Sequence, residues 1–114
     1  AHTCAARAGV IYLSKTVATE WASHGIRVNC IGPGVIETEG FGVYPEEALQ
    51  RFHKANPMKK RGNAWDVAEQ VMYLASPAAD FINGDLIIID GGQAQWGVVW
   101  PGGMPDYFDE GGAA

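Results

Sequence analysis

The sequence predicts an α/β fold built on parallel strands, and predicts that this chain carries only part of the sheet. Three observations lead there. The elements run helix, strand, helix, helix, strand. The last of them, residues 85–90 (Asp-Leu-Ile-Ile-Ile-Asp), holds four apolar residues in a row without alternation, as a strand buried on both faces does. The two strands are joined through helices, which implies a parallel pair with a right-handed crossover. Two parallel strands do not make a stable sheet alone. At least one strand edge therefore needs a partner from elsewhere, and the chain reads as the second half of a larger α/β domain.

Residues 3–23 carry Val10, Leu13, Val17 and Trp21 at helical spacing, so a helix with one apolar stripe is expected there. Ala5, Ala6, Ala8 and Gly9 make its first half smooth enough for another helix to approach closely. His24 and Gly25 end it, with Gly25 just past the last turn. Residues 26–31 are rich in β-branched side chains and predict a strand, which Gly32-Pro33-Gly34 breaks. Residues 35–44 read as a loop. Pro45 suits a first helical position, and Glu46 and Glu47 suit the positive end of the helix dipole. Ala48, Leu49 and Phe52 form its apolar side, and Pro57 stops it. A third helix is expected over residues 64–75, capped by Asn63, with Val67, Val71, Leu74 and Ala75 buried. After Asp90-Gly91-Gly92 the patterns fade. Residues 93–114 read as a loop-like tail in which Trp96 and Trp100 dock on something.

The composition bounds the function. With 114 residues, 47 % hydrophobic and 18 % charged, the chain is one globular domain at most. A formal charge of −5 excludes the electrostatic footprint of a nucleic-acid binder. No run approaches the length of a membrane span. Cys4 and Cys30 are too few for a disulfide framework, which makes a reduced compartment the default: the cytoplasm, or the mitochondrial matrix in a eukaryote. His2, His24, His53 and the cysteines lack ligand spacing, so no metal site is expected. Helical pattern begins almost at Ala1, and the chain is expected to be a piece of something longer. It contains no glycine-rich phosphate loop after a strand.

One ordered set of residues carries a resemblance: Ala8-Gly9-Val10, Glu20-Trp21-Ala22, Gly25-Ile26-Arg27-Val28-Asn29, Pro33-Gly34-Val35-Ile36-Glu37-Thr38, Asp66-Val67-Ala68 and Gly84-Asp85 through Asp90-Gly91-Gly92. From its start to Gly92 the chain resembles the C-terminal half of a short-chain dehydrogenase/reductase. His2, Arg7-Ala8-Gly9-Val10 and the stretch from Pro33 to Gly40 resemble the 2,4-dienoyl-CoA reductase-like and trans-2-enoyl-CoA reductase-like members. The resemblance implies a Rossmann-like, doubly wound parallel sheet over residues 1–92. It also implies NAD or NADP as cofactor, bound mainly by an N-terminal half, and hydride transfer to a small molecule such as an unsaturated acyl-CoA of fatty acid metabolism. It implies a homotetramer that packs helix on helix.

The resemblance also assigns residues. The family's usual pair is Tyr-x-x-x-Lys, with the tyrosine as acid or base beside a cation that lowers its pKa. Here Arg7 stands in the lysine slot and Thr3 in the tyrosine slot. Arg7 keeps the charge and the ribose contact, although its planar fork is not an ammonium. Thr3 cannot replace a phenol as an acid. The alternative is Arg7 as a plain surface residue of a degenerate relative. Pro33, Gly34, Val35, Ile36 and Thr38 fall in the segment that closes on the nicotinamide carboxamide, beyond the end of a parallel strand. The alternative there is a Pro-Gly turn with Thr38 as a local cap. Glu39 through Tyr44 fall in the substrate lid, with Phe41 and Tyr44 as its candidate residues. Three functions stay open: an enoyl-thioester reductase, a dehydrogenase of a simple alcohol or ketone, and a non-catalytic binding or structural relative. The isolated chain is expected to be inactive.

Overall fold

The structure, a computed structural model, describes residues 1–95 and Asp106. The fold is α/β with parallel strands, a partial Rossmann-like arrangement. Helix α1 spans His2–Trp21, followed by a 3-10 turn over Ala22–His24. Strand β1 is Cys30–Pro33 and β2 is Ile36–Glu37. A 3-10 helix covers Glu39–Val43, then comes α2 (Glu46–Arg51), running into a 3-10 turn over Phe52–Ala55. Strand β3 is Gly62–Asn63, helix α3 is Ala64–Ala75, and strand β4 is Leu86–Ile89. β1 pairs with β4 and β2 with β3, in two two-stranded sheets. The chain divides into two compact units: Ala1–Gly32 with Ala68–Ile88, and Pro33–Val67 with Ile89 onward.

In the first unit the helix end is set by Gly25. Its φ is +73°, and its N–H donates to the Ala22 carbonyl, as a residue just past a helix does. The first strand begins later than the β-branched run predicts, at Cys30 rather than at residue 26. Side-chain bonds with one backbone bond across to Gly84 among them, rather than a regular ladder, occupy the residues between. Val28 N–H donates to Asn83 Oδ1 at 2.9 Å, and Val28 C=O accepts from Gly84 N–H at 2.8 Å. Asn29 accepts from Asp85 N–H through Oδ1 at 3.0 Å and donates through Nδ2 to Ile82 C=O at 3.0 Å. Arg27 donates to Ile82 C=O at 3.2 Å and to Leu74 C=O at 2.7 Å. The regular pairing opens with Cys30 N–H donating to Asp85 C=O at 2.8 Å.

The strand also ends later than expected. Gly32 and Pro33 lie inside β1 instead of breaking it. A proline is tolerated where its missing N–H faces an open strand edge, and residues 30 and 34 donate to β4, so position 33 faces away from it. Here Gly34 N–H donates to Ile89 C=O at 2.8 Å. The partners advance together, 30 with 85 and 34 with 89, so the pair is parallel.

Burial differs from expectation. Val10, Leu13 and Trp21 of the α1 stripe are exposed, and Val17 is half-buried. On α3, Val67 and Leu74 are half-buried while Val71 and Ala75 are exposed. On β4, Ile88 is 49 % exposed, where a strand buried on both faces was expected. Ala18 and Ala79 are the fully enclosed apolar residues among those described. The cause is the width of the sheet: two strands offer the apolar stripes of the helices little surface to pack on. Residues 93–95 form a short 3-10 turn. The rest of the expected tail, Trp96 and Trp100 included, lies outside the described residues apart from Asp106.

Arg27→Ala removes two donors from half-buried carbonyls. In the complete polypeptide it is expected to lower unfolding stability by about 1–3 kcal/mol in urea titrations. Arg27→Lys should recover only part of this, since an ammonium does not fork between two carbonyls. An unchanged urea midpoint would mean that water satisfies both carbonyls.

Candidate functional site

The segment leaving β1 is stitched on two sides within the second unit. Gly34 N–H is bonded to Ile89 C=O at 2.8 Å, and Val35 C=O accepts from Gly62 N–H at 2.9 Å. β2 then runs parallel to β3, Ile36 opposite Gly62 and Glu37 opposite Asn63. Neither short strand stood out in the sequence. Gly34 allows a close approach: a Cβ there would lie 2.7 Å from Asp90 Cβ and 2.8 Å from Asp90 Cα. β3 passes directly into α3 through a reciprocal cap. Asn63 Oδ1 accepts from the N–H groups of Trp65 and Asp66, and Asp66 Oδ2 accepts from Asn63 N–H at 2.7 Å. The expected N-cap is thus present, and it fixes the strand that holds β2.

Thr38 follows at the exit of β2, exposed and extended, with φ −138° and ψ 172°. Its carbonyl accepts from Phe41 N–H at 3.0 Å. Its hydroxyl makes no capping bond, so the alternative of a local side-chain cap does not hold. Phe41 and Tyr44 do not stand as separate loop aromatics. They pack with Phe52 edge to face, with ring centroids 5.3–6.0 Å apart.

Beneath Val35 and Ile36 lies a cavity of about 230 Å³ that Met58, Ile89 and Asp90 also line. Asn56 borders it and is 2 % exposed. It donates through Nδ2 to Lys60 C=O at 2.7 Å, while its Oδ1 has no hydrogen-bond partner among the described residues. The sequence showed Asn56 only as the residue before a helix-stopping proline. Nor did any local pattern join Glu37 to Arg61, whose side chains pair at 3.4 Å.

Arg7 and Thr3 lie in the other unit, on the first turns of α1, both exposed. Their spacing of four puts them on one face of the helix. Among the described residues Arg7 has no ion pair or hydrogen bond through its guanidinium. Also among the described residues, no three of His, Cys, Asp and Glu gather to hold a metal ion, and no helix is long and apolar enough to cross a membrane.

The family model described as enoyl-(acyl carrier protein) reductase matches residues 1–94. The chain belongs to the short-chain dehydrogenase/reductase family. A probable 2,4-dienoyl-CoA reductase of Bacillus subtilis is 42 % identical over 96 residues, covering 81 % of this chain and 38 % of that protein. A putative 2-deoxy-D-gluconate 3-dehydrogenase of Agrobacterium tumefaciens, solved with bound NADP, matches with a TM-score of 0.73 at 36 % identity. That match covers 80 % of this chain and 38 % of the other. A 4-hydroxyisoleucine dehydrogenase mutant solved with NADH and succinate matches with the same TM-score, 0.73, at 36 % identity and the same coverage, 80 % and 38 %. The chain spans 38, 32 and 37 % of the length of three curated relatives, about a third. The Bacillus subtilis protein is named as a reductase and the two solved neighbours as dehydrogenases, the latter solved with NADP and with NADH.

Gly34→Ala forces a methyl group onto the Asp90 backbone. The expected loss is about 1–3 kcal/mol of unfolding stability in the complete polypeptide. A crystal structure of the variant should show the 33–38 segment displaced from Asp90. A variant as stable as the parent, with this segment in place, would mean that Asp90 yields freely.

Proposed function

We propose that this short-chain dehydrogenase/reductase chain forms the C-terminal, nicotinamide-closing part of an NAD(P)(H)-dependent reductase of unsaturated acyl-CoA. One observation carries the reading. A segment stitched to strands on both sides leaves the end of a parallel strand and presents an exposed hydroxyl, Thr38, that caps nothing. Ligands of parallel α/β sheets sit beyond such strand ends. The donors present fit the cofactor. The Thr38 hydroxyl suits a carboxamide, and the Arg7 guanidinium, without a partner among the described residues, suits ribose hydroxyls. Pro33, Gly34, Val35 and Ile36 supply the backbone that brings Thr38 there. The nicotinamide supplies the hydride when bound; NADP or NADH accompanies each of the two solved neighbours.

The acyl-CoA substrate is supported by the 42 % identical dienoyl-CoA reductase of Bacillus subtilis and by Thr3. A threonine in the tyrosine slot removes the acid on which an ordinary alcohol or ketone dehydrogenase relies. The second reading, a dehydrogenase of a simple alcohol or ketone, draws on the two solved neighbours, both named as dehydrogenases. A non-catalytic relative is the third reading, and Thr3 and Arg7 together are what favour it. A homotetramer is supported by α1, where Val10, Leu13 and Trp21 are exposed and a Cβ at Gly9 would meet nothing within 4 Å. The free cysteines Cys4 and Cys30 accord with a reducing compartment such as the cytoplasm.

The test is turnover by the complete polypeptide, followed through loss of reduced nicotinamide absorbance with NADPH and with NADH. A 2,4-dienoyl-CoA is expected to be reduced and a simple ketone not. Thr38→Val is expected to raise the cofactor KM about fivefold to tenfold, as losing one hydrogen bond does. The 114-residue chain by itself should give no turnover. Ketone reduction without dienoyl reduction would install the second reading, and no turnover despite cofactor binding the third. Activity of the isolated chain would overturn its role as one part of the site.

A further inference from the structure

We infer that Arg61 is a positioning residue that holds Thr38 from both sides, which rests on the reading that Thr38 donates to the cofactor. Arg61 Nη2 lies 3.4 Å from Glu37 Oε2, and Glu37 immediately precedes Thr38. The Arg61 guanidinium carbon also lies 5.9 Å from the centre of the Phe41 ring. Phe41 closes the turn that follows, its N–H donating to Thr38 C=O at 3.0 Å. One guanidinium thus engages the residue before Thr38 and the ring after it.

The anchor itself is fixed. Arg61 precedes Gly62, whose N–H donates to Val35 C=O at 2.9 Å and which pairs with Ile36 in the β2–β3 ladder. The ring it faces is fixed as well, with Tyr44 at 6.0 Å and Phe52 at 5.3 Å between centroids. Between these two holds lie a two-residue strand and a short 3-10 helix. The Arg61 and Glu37 side chains are 33 % and 55 % exposed, so neither link is strong alone. Their joint effect is on freedom: a hydroxyl already in its bound position loses less entropy when the ligand arrives.

The experiment titrates NADPH and NADH onto the complete polypeptide by nicotinamide fluorescence and records Tm beside each Kd. Arg61→Met is expected to weaken cofactor binding about fivefold to tenfold. Arg61→Lys should restore part of it, because the charge stays beside Glu37 while the planar fork is lost. Glu37→Gln and Phe41→Leu should each weaken binding about twofold to threefold, and they carry the test if Arg61→Met does not fold. In a Thr38→Val background, Arg61→Met should add nothing, since the group it positions is gone. A Thr38→Val protein that binds weakly, beside an Arg61→Met protein that binds normally, overturns the positioning role and spares the cofactor site. Additive losses overturn it too. A Thr38→Val protein that binds like the parent overturns the cofactor reading itself, and this inference with it.

Discussion

The first unit depends on three polar side chains more than on any apolar one. Arg27, Asn29 and Asn83 send their hydrogen bonds to the backbone of residues 18, 28, 74, 82 and 85. They set where β4 starts against β1, and a register slip of one residue would reverse which faces of a strand meet the core. Directional bonds to fixed carbonyls and amides set that register even where Ile88 of β4 is half exposed. Arg27-Val28-Asn29 is also part of the sequence on which the family resemblance rests. Its role in this structure is to position backbone, so its presence speaks for the fold rather than for the chemistry.

What the sequence revealed follows the range of the physics involved. Helix ends were legible at Gly25 and Asn63, because a left-handed residue and a side-chain cap act within a few positions. The β2–β3 pair was not. Each strand has two residues, too short for any alternation, and its pairing joins positions 36–37 to 62–63. The first strand was displaced for a related reason. Ile26 and Val28 favour extended backbone, but the side chains of Asn29 and Asn83 take bonds that a ladder would use. Burial was the least legible property. An apolar stripe records what a helix is built to face, and Val10, Leu13 and Val71 face nothing among the described residues that covers them.

At the candidate site the same division holds. The stretch Pro33 to Thr38 could be picked out because it leaves a strand through a proline and a glycine, and Gly34 lies where a Cβ would meet Asp90. The aromatic residues of the lid segment could be named, yet not their union with Phe52, which comes from a different helix. Glu37 and Arg61 are two ordinary surface charges until the strand pairing brings them together. Asn56 is an ordinary residue before a proline until its side chain is seen enclosed with an oxygen that nothing meets.

The departures at Thr3 and Arg7 sort the proposed roles. Reducing a carbon–carbon double bond needs a hydride at one carbon and a proton at another. On the proposed reading Thr38, Arg7 and the backbone of residues 33–36 supply a hydroxyl, a guanidinium and backbone groups, which bind and orient. Thr3 is no acid, and an arginine does not release its proton. On the proposed reading the proton therefore comes from a residue outside these slots. The two jobs are then separable: changing Thr38 or its supports alters how the cofactor is held, while the group that delivers the proton stays untouched. A site divided in this way makes Arg7 a charge that orients rather than one that tunes a neighbouring phenol. The lysine-to-arginine exchange is then tolerable on that reading, because a ribose contact requires a fixed donor and the slot four residues before Arg7 holds Thr3 rather than a tyrosine.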